Sequence, residues 1–264
     1  MNVMRHPAFS HDSSHHGLRP EFDEHAAGYA AGMENRWKQL AGADAEVFIE
    51  LKAWHLQEDL RRHPLATGGK PLRLLDFGCG DGVLLRVLSA RGFTGNLWGS
   101  DVSPGMLQEA RDKWRVFTAA HPAVRTPEPA WTESRPGELP FETGSFDVVT
   151  CLGVIHHIPL ADRSREWSEI ARVLRPGGRC YVYEHNPYNP LTQWVVRHTA
   201  IDENAILISQ RETKRAIAAH GFKVTLAHGL MYWPPRWRRL WSAERLVGWI
   251  PLGGQYVVAG ERLP

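Results

Sequence analysis

Apolar runs and amphipathic patterns alternate along most of this chain. Short apolar runs that predict buried strands cover residues 73–77, 97–101, 145–152, 179–184, 222–227 and 255–260. Between them, patterns with a helical period predict helices at 81–91, 104–117, 162–174 and 211–220. Such an alternation predicts a mostly parallel sheet with helices on both faces. We therefore predict an α/β fold whose ligands sit beyond the carboxyl ends of the strands.

The first 66 residues do not share this alternation. Residues 1–20 are polar and rich in histidine, which predicts a flexible tail and no metal site, because no apolar residue anchors the histidines. Residues 21–66 have a largely helical pattern that is broken near Pro64, and they are interpreted as an N-terminal helical cap. The core domain is then expected to span residues 67–264.

Composition narrows the possible partners. The 264 residues carry 31 basic and 29 acidic side chains, so the net charge of +2 gives no electrostatic reason to expect a nucleic acid. The three cysteines, Cys79, Cys151 and Cys180, are odd in number and widely spaced, which favours a reducing, cytoplasmic location. No apolar run is long enough to predict a membrane span.

A glycine-rich segment follows the first predicted strand and opens a helix. Its spacing is G-x-G-x-G, with Val83 at the position of the third glycine of a dinucleotide-binding loop. Asp76 precedes the loop, where a carboxylate would repel a pyrophosphate but attract a ligand ammonium group. Asp101 ends the next strand, where a carboxylate can accept hydrogen bonds from both hydroxyls of a ribose. These features together indicate a ligand with an amino group at one end and a ribose at the other, as in S-adenosylmethionine.

Four motifs resemble those of the class I S-adenosylmethionine-dependent methyltransferases, in particular the bacterial enzymes that act on small molecules. They are DFGCGDG at 76–82, GSDVSPGML at 99–107, SFDVV leading to HHIP at 145–159, and LRPGGR at 174–179. The resemblance covers roughly residues 72–260. It implies a Rossmann-like sheet of seven strands, mostly parallel and with an antiparallel last strand, in addition to the N-terminal helical cap.

The same resemblance implies which residues bind S-adenosylmethionine. Gly78 and Gly80 would line its methionyl part, Asp76 would serve its amino end, and Asp101 would bind the ribose. The complete set of expected donor-binding residues is Asp76, Gly78, Cys79, Gly80, Asp101, Val102, Met106, Cys151 and Leu152.

One departure from the family pattern concerns the adenine contact. Relatives often carry an acidic residue before a Leu-Pro-Phe sequence, and that residue contacts the adenine amino group. Here an ungapped match puts Arg135 at this position, whereas Glu133 would take its place if the loop is shifted. The sequence leaves the contact open among Glu133, Ser134 and Arg135.

The acceptor side is less defined. Histidine suits proton transfer near neutral pH, and His157 and His185 follow the fourth and fifth predicted strands of the family pattern. Tyr29 lies in a segment that resembles the one closing over the donor in many relatives. We take His157, His185 and Tyr29 as the candidate catalytic residues, with His157 first. The alternatives are a hydrogen-bonded structural role for His157, a proline-shaped turn at His185 and a packed helix aromatic for Tyr29.

The sequence thus predicts a methyltransferase that moves a methyl group to an oxygen or nitrogen of a small-molecule acceptor. One alternative is a module that binds S-adenosylmethionine without methylating, because function depends on the site and not on the fold. A nicotinamide-dependent oxidoreductase is the other, and Asp76 and Val83 both disfavour it. The acceptor and the oligomeric state are left open.

Overall fold

The computed structural model describes residues 45–199 and 205–264. Its centre is a seven-stranded sheet in the order β3-β2-β1-β4-β5-β7-β6. All neighbouring strands pair in parallel except β7, which is antiparallel to both β5 and β6. The expected seven-stranded Rossmann-like sheet with an antiparallel last strand is therefore confirmed. The strands are β1 (Arg73–Phe77), β2 (Asn96–Asp101), β3 (Ala130–Glu133), β4 (Phe146–Leu152), β5 (Leu174–His185), β6 (Phe222–Leu230) and β7 (Gln255–Arg262).

Helices connect the strands, and side chains cap several of them. Ser103 accepts from the Met106 N–H at the start of α3, and Asn189 accepts from the Thr192 N–H at the start of α5. At α6, Ser209 and Glu212 form a capping box. The helices are α1 (Ala45–Arg62), α2 (Val83–Ala90), α3 (Pro104–Ala120), α4 (Arg163–Val173), α5 (Pro190–Arg197), α6 (Gln210–Ala219) and α7 (Glu244–Val247), with 3-10 turns at Ile155–His157 and Arg238–Ala243.

Hydrophobic cores cover both faces of the sheet, because successive side chains of a strand point to opposite faces. Leu75 of β1 is buried in one core together with side chains of α4 and α6. Leu74, the residue before it, is buried in the other core with side chains of α1 and α2. Covering both faces leaves the carboxyl edge of the parallel strands as the place where loops can form a site.

Some predictions about local structure were wrong. The proline-rich stretch between Pro122 and Pro140 contains β3, a four-residue edge strand paired with β2. Strand β5 begins at Leu174, before the Pro-Gly-Gly sequence that was expected to precede it. Trp237 and Trp241 are four residues apart, a spacing that would place them on one face of an α-helix, but Trp241 is buried while Trp237 is half exposed. The tighter 3-10 geometry of this segment accounts for the difference.

The proposed flexible tail at residues 1–20 and the candidate Tyr29 lie outside the described residues. Of the predicted helical cap, the described part is α1, whose Leu56 and Leu60 pack in the same core as Leu74. The boundary between cap and core stays a prediction. Among the described helices, none combines the length and the apolar character needed to cross a bilayer.

Two histidines are packed against each other between α1 and β6. The ring centroids of His55 and His228 lie 4.5 Å apart in an edge-to-face arrangement, and Tyr183 of β5 packs beside His55. Burial lowers the pKa of His55 well below its ordinary value. Burial and the nearby charge of Arg245 lower the pKa of His228 from 6.5 to about 4, although Asp59 opposes this effect.

We expect His228 to destabilise the fold as the pH falls. Because its folded-state pKa is depressed, the unfolded chain binds more protons between the two pKa values, so stability is complete above pH 6.5 and declines toward pH 4. Between pH 7.5 and pH 5, the free energy of unfolding of wild type should fall by about 1–2 kcal/mol relative to His228→Leu. Urea unfolding of both proteins at the two pH values measures this change. A difference between the proteins that is the same at both pH values would contradict the expectation.

Candidate functional site

A solvent-open cleft lies where β1, β2 and β4 end, and its space, including the part open to solvent, is about 760 Å³. The loops that follow these strands and β3 form its walls, as expected for the carboxyl edge of a parallel sheet. The lining residues are Phe77, Gly78, Gly80, Asp101, Val102, Met106, Ser134, Arg135, Pro136, Leu152, Gly153, Val154, His157, Ile158 and Glu166.

The glycine loop after β1 is held against the end of β2. The N–H groups of Gly78 and Cys79 both donate to the carbonyl oxygen of Ser100, at 2.8 and 3.0 Å. Gly78 has a φ of +68°, and a Cβ at this position would lie 2.5 Å from Cγ2 of Val154. Only glycine satisfies both the backbone conformation and the close approach of the β4 loop.

Asp101 at the end of β2 joins two loops. Its Oδ2 accepts from the Gly80 N–H and its Oδ1 accepts from the Ser103 N–H, both at 2.9 Å. These bonds fix the orientation of the carboxylate at the cleft wall. Because a carboxylate can accept about four hydrogen bonds, this anchoring is compatible with further bonds to the hydroxyls of a ribose.

Six of the nine expected donor-binding residues lie in the cleft wall: Gly78, Gly80, Asp101, Val102, Met106 and Leu152. Asp76, Cys79 and Cys151 are buried and are not part of the wall. Oδ1 of Asp76 accepts from the Thr150 hydroxyl at 2.8 Å. Burial raises the pKa of Asp76 to about 7, even though the Thr150 hydroxyl and the charge of Lys52 act in the opposite direction.

Glu166, a residue that the sequence did not reveal as part of the site, lines the cleft from helix α4 and is bonded to the loop after β3. Arg135 and Glu138 pair across a tight turn containing Pro136 and Gly137, and the Gly137 N–H donates to Oε1 of Glu166 at 2.6 Å. Glu166 lies in the first turn of α4 and is 4% exposed. Burial raises its pKa to about 7, against the effect of the Gly137 N–H. Of the three residues considered for the adenine contact, Ser134 and Arg135 line the cleft, whereas Glu133 does not.

Three histidine rings meet after β4 and β5. His157 lines the cleft, and its ring centroid lies 4.2 Å from that of the buried His156. The His156 ring is 5.3 Å from that of His185, which is partly buried and lies outside the cleft wall. Oε2 of Glu184 is 2.5 Å from Nδ1 of His156, and its Oε1 accepts from the Ile155 N–H.

Glu184 is also a residue whose role sequence reasoning missed, and it is 1% exposed. Burial by itself would raise its pKa, but the adjacent His156 and His185 and the Ile155 N–H lower the pKa below its ordinary value. An ionised Glu184 accepts hydrogen bonds only, so Nδ1 of His156 carries the proton in this pair. The pair thereby fixes the ring against which His157 packs.

Comparison with known proteins agrees with this geometry. A family described as "Methyltransferase domain" matches residues 75–182. The chain is 33% identical over 167 residues to 2-phytyl-1,4-naphtoquinone methyltransferase of Trichormus variabilis. The aligned region covers 60% of this chain and 68% of that protein. It is 28% identical over 149 residues to a ubiquinone/menaquinone biosynthesis C-methyltransferase of Idiomarina loihiensis. That alignment covers 55% of this chain and 56% of the relative.

The fold is also similar to that of a solved methyltransferase structure. Magnesium protoporphyrin IX methyltransferase of Synechocystis with bound S-adenosylhomocysteine superposes with a TM-score of 0.55 at 18% identity, covering 81% of this chain and 83% of that one. A sheet of this order with a glycine loop and an aspartate at the end of β2 is typical of one class of enzyme. The chain belongs to the class I S-adenosylmethionine-dependent methyltransferase family, and it is an enzyme that uses S-adenosylmethionine.

The groups in the cleft fit this donor. Asp101 offers a carboxylate for the ribose, and the apolar side chains of Val102, Met106 and Ile158 offer contacts for a purine. At Gly78 the loop presents backbone without a side chain, where the methionyl part can approach. When bound, S-adenosylmethionine supplies a methyl group on a positively charged sulfur.

We expect Asp76 to become ionised when the donor's ammonium group binds. Binding of S-adenosylhomocysteine should then strengthen as the pH rises toward the Asp76 pKa of about 7, by up to about tenfold between pH 6 and pH 8. At pH 6.5 formation of the complex should release about three quarters of a proton more from wild type than from Asp76→Asn. Calorimetric titration in two buffers of different ionisation enthalpy measures this release.

The matched control for this experiment is 5′-methylthioadenosine, which lacks the amino acid part of the ligand. It should release the same number of protons from wild type and from Asp76→Asn. Equal release by the two proteins with S-adenosylhomocysteine would show that Asp76 does not serve the amino end.

Proposed function

We propose that the enzyme transfers a methyl group to an oxygen or nitrogen atom of a small-molecule acceptor. The observation that carries this proposal is the position of His157, whose imidazole ring lines the same cleft as Gly78, Asp101 and Leu152. We further propose that the donor-binding residues are the nine expected from the sequence, with Asp76, Cys79 and Cys151 acting from behind the cleft wall. His185 and Tyr29 remain candidates for acceptor contact.

A hydroxyl acceptor must lose its proton for the product to be a neutral ether, and an ammonium acceptor must lose one proton before its nitrogen has an electron pair for a new bond. A hydroxyl or an ammonium group that enters the cleft beside His157 can donate its proton to the imidazole ring, whose ordinary pKa suits this transfer near neutral pH. The electron pair of the oxygen or nitrogen could then form the bond to the methyl carbon while the bond from that carbon to the donor sulfur breaks, which would release S-adenosylhomocysteine. The pair of His156 and Glu184 would keep the His157 ring in position while it holds the proton.

The overall charge of the chain and its relatives support a small acceptor rather than a polymer. The near balance of 31 basic and 29 acidic residues offers no general attraction for nucleic acid. The names of these relatives refer to quinone compounds, which supports an aromatic acceptor that carries ionisable hydroxyl groups in its reduced form.

A second candidate is methylation of a ring carbon of such a quinol. The similarity to the C-methyltransferase of Idiomarina loihiensis favours this candidate. Removal of a phenolic proton by His157 would serve this reaction too, because the charge of a phenolate spreads onto the ring carbons. The match spans only 56% of that relative, so its substrate does not transfer directly to this chain.

An acceptor screen tests the proposal. The purified enzyme is incubated with methyl-labelled S-adenosylmethionine and a panel containing a 1,4-naphthoquinol, a catechol and an aromatic amine. Mass spectrometry identifies products heavier by one methyl group. NMR then shows whether the labelled methyl group is on oxygen, on nitrogen or on carbon. A product labelled on a ring carbon would support the second candidate and reject the first.

We expect His157→Asn to lower kcat by about 10²–10⁴-fold with the acceptor that the screen identifies, because a positioned base typically contributes that much. The affinity for S-adenosylhomocysteine should stay within about threefold of wild type. His121→Asn is the matched control, since His121 is exposed beyond the end of α3, and it should leave both quantities unchanged. Full turnover by His157→Asn would reject His157 as the base.

A further inference from the structure

Strand order determines how a ligand lies along the cleft. The strands that end there follow the order β3-β2-β1-β4, and neighbouring strands are about 4.8 Å apart. Asp101 ends β2, and the glycine loop and His157 belong to β1 and β4 on one side of it. A ligand with its ribose at Asp101 and its methyl group toward His157 therefore has its base on the other side, at the loop after β3.

That end of the cleft contains one buried carboxyl group, contributed by a helix. Glu166 projects from α4 into the wall formed by Ser134, Arg135 and Pro136. Its Oε1 is occupied by the Gly137 N–H at 2.6 Å. Within residues 45–199 and 205–264, no hydrogen bond to its Oε2 is found, although the side chain is 4% exposed. Unlike the enclosed polar atoms of the described residues, this oxygen keeps some accessible surface, and the residue lines the cleft, so Oε2 is available to a hydrogen-bond donor of a ligand.

The residue at the position of the family's acidic adenine contact cannot play that part here. Arg135 is exposed and cationic, and a guanidinium group has donors but no acceptor for an amino group. Glu133, the nearest acid in sequence, is exposed at the end of β3 and lies outside the cleft wall. Glu166 supplies the missing acceptor from a different element of the fold.

We propose that Glu166 recognises the base of the donor, with Oε2 accepting a hydrogen bond from the 6-amino group of adenine. The inference rests on the cleft being the donor site, as proposed above, and it is independent of the acceptor. In this arrangement Oε1 holds the turn at Gly137 and Oε2 selects the base. An oxygen in place of the 6-amino group would face the carboxylate, so a hypoxanthine base would be rejected.

Discrimination between two ligands tests this directly, without any acceptor. The dissociation constants of S-adenosylhomocysteine and of its 6-oxo analogue, S-inosylhomocysteine, are measured by calorimetry at pH 8 for wild type and for Glu166→Gln. We expect wild type to bind the adenosyl ligand at least tenfold more tightly than the inosyl ligand. In Glu166→Gln, whose amide nitrogen can donate to the 6-oxo group, that ratio should fall at least tenfold.

Glutamine keeps an acceptor oxygen for the Gly137 N–H, so the turn should remain folded, and an unchanged Tm checks this. Glu169→Gln is the matched control, because Oε2 of Glu169 on the same helix accepts from the Leu139 N–H at 2.8 Å but the residue does not line the cleft. It should keep the wild-type ratio.

Two results would overturn the proposal. In the first, Glu166→Gln weakens both ligands equally or leaves the ratio unchanged, which would make Glu166 only an anchor for the turn. In the second, wild type binds neither ligand, which would also remove the donor from this cleft. Neither result bears on the acceptor, because methyl transfer is not measured.

Discussion

The carboxylate of Asp101 is the junction on which the cleft depends. It accepts one backbone N–H from the loop after β1 and another from the turn that begins α3. Together with the Ser100 carbonyl, which accepts two more N–H groups of the glycine loop, it fixes two separate connections relative to each other. Loss of this buried charge would leave two N–H groups without partners, so the shape of the donor site and the folding of this edge depend on the same side chain.

The sequence was sufficient to predict this part of the site because its determinants are local. Gly78, Gly80 and Asp101 stand within short motifs at the ends of two strands, and the backbone conformation there permits few alternatives. The alternation of strands and helices likewise predicted the sheet, since a parallel strand needs a crossover connection of a dozen or more residues. The roles of these residues in binding are still inferred from family likeness and chemistry.

The rest of the site depends on contacts between distant parts of the chain. His156 and Glu184 are 28 residues apart, and no pattern marks them as partners. Glu166 stands in a helix segment rich in charges, where the sequence alone does not show which acid turns inward and which faces solvent. Strand β3 was missed because it is only four residues long, is flanked by prolines and is half exposed, so it lacks the apolar run of a central strand.

Helix α4 touches both ends of the cleft. Glu166 on its first turn holds the β3 loop through Gly137, and Arg163 donates from Nε to the carbonyl oxygen of Ile158, the neighbour of His157, at 2.9 Å. Arg163 and Glu166 stand three residues apart at the start of this helix, so one helical turn supports the wall on both sides of the site. A substitution that shifts or frays this turn would therefore disturb the purine end and the histidine end together, although neither side chain belongs to the glycine loop.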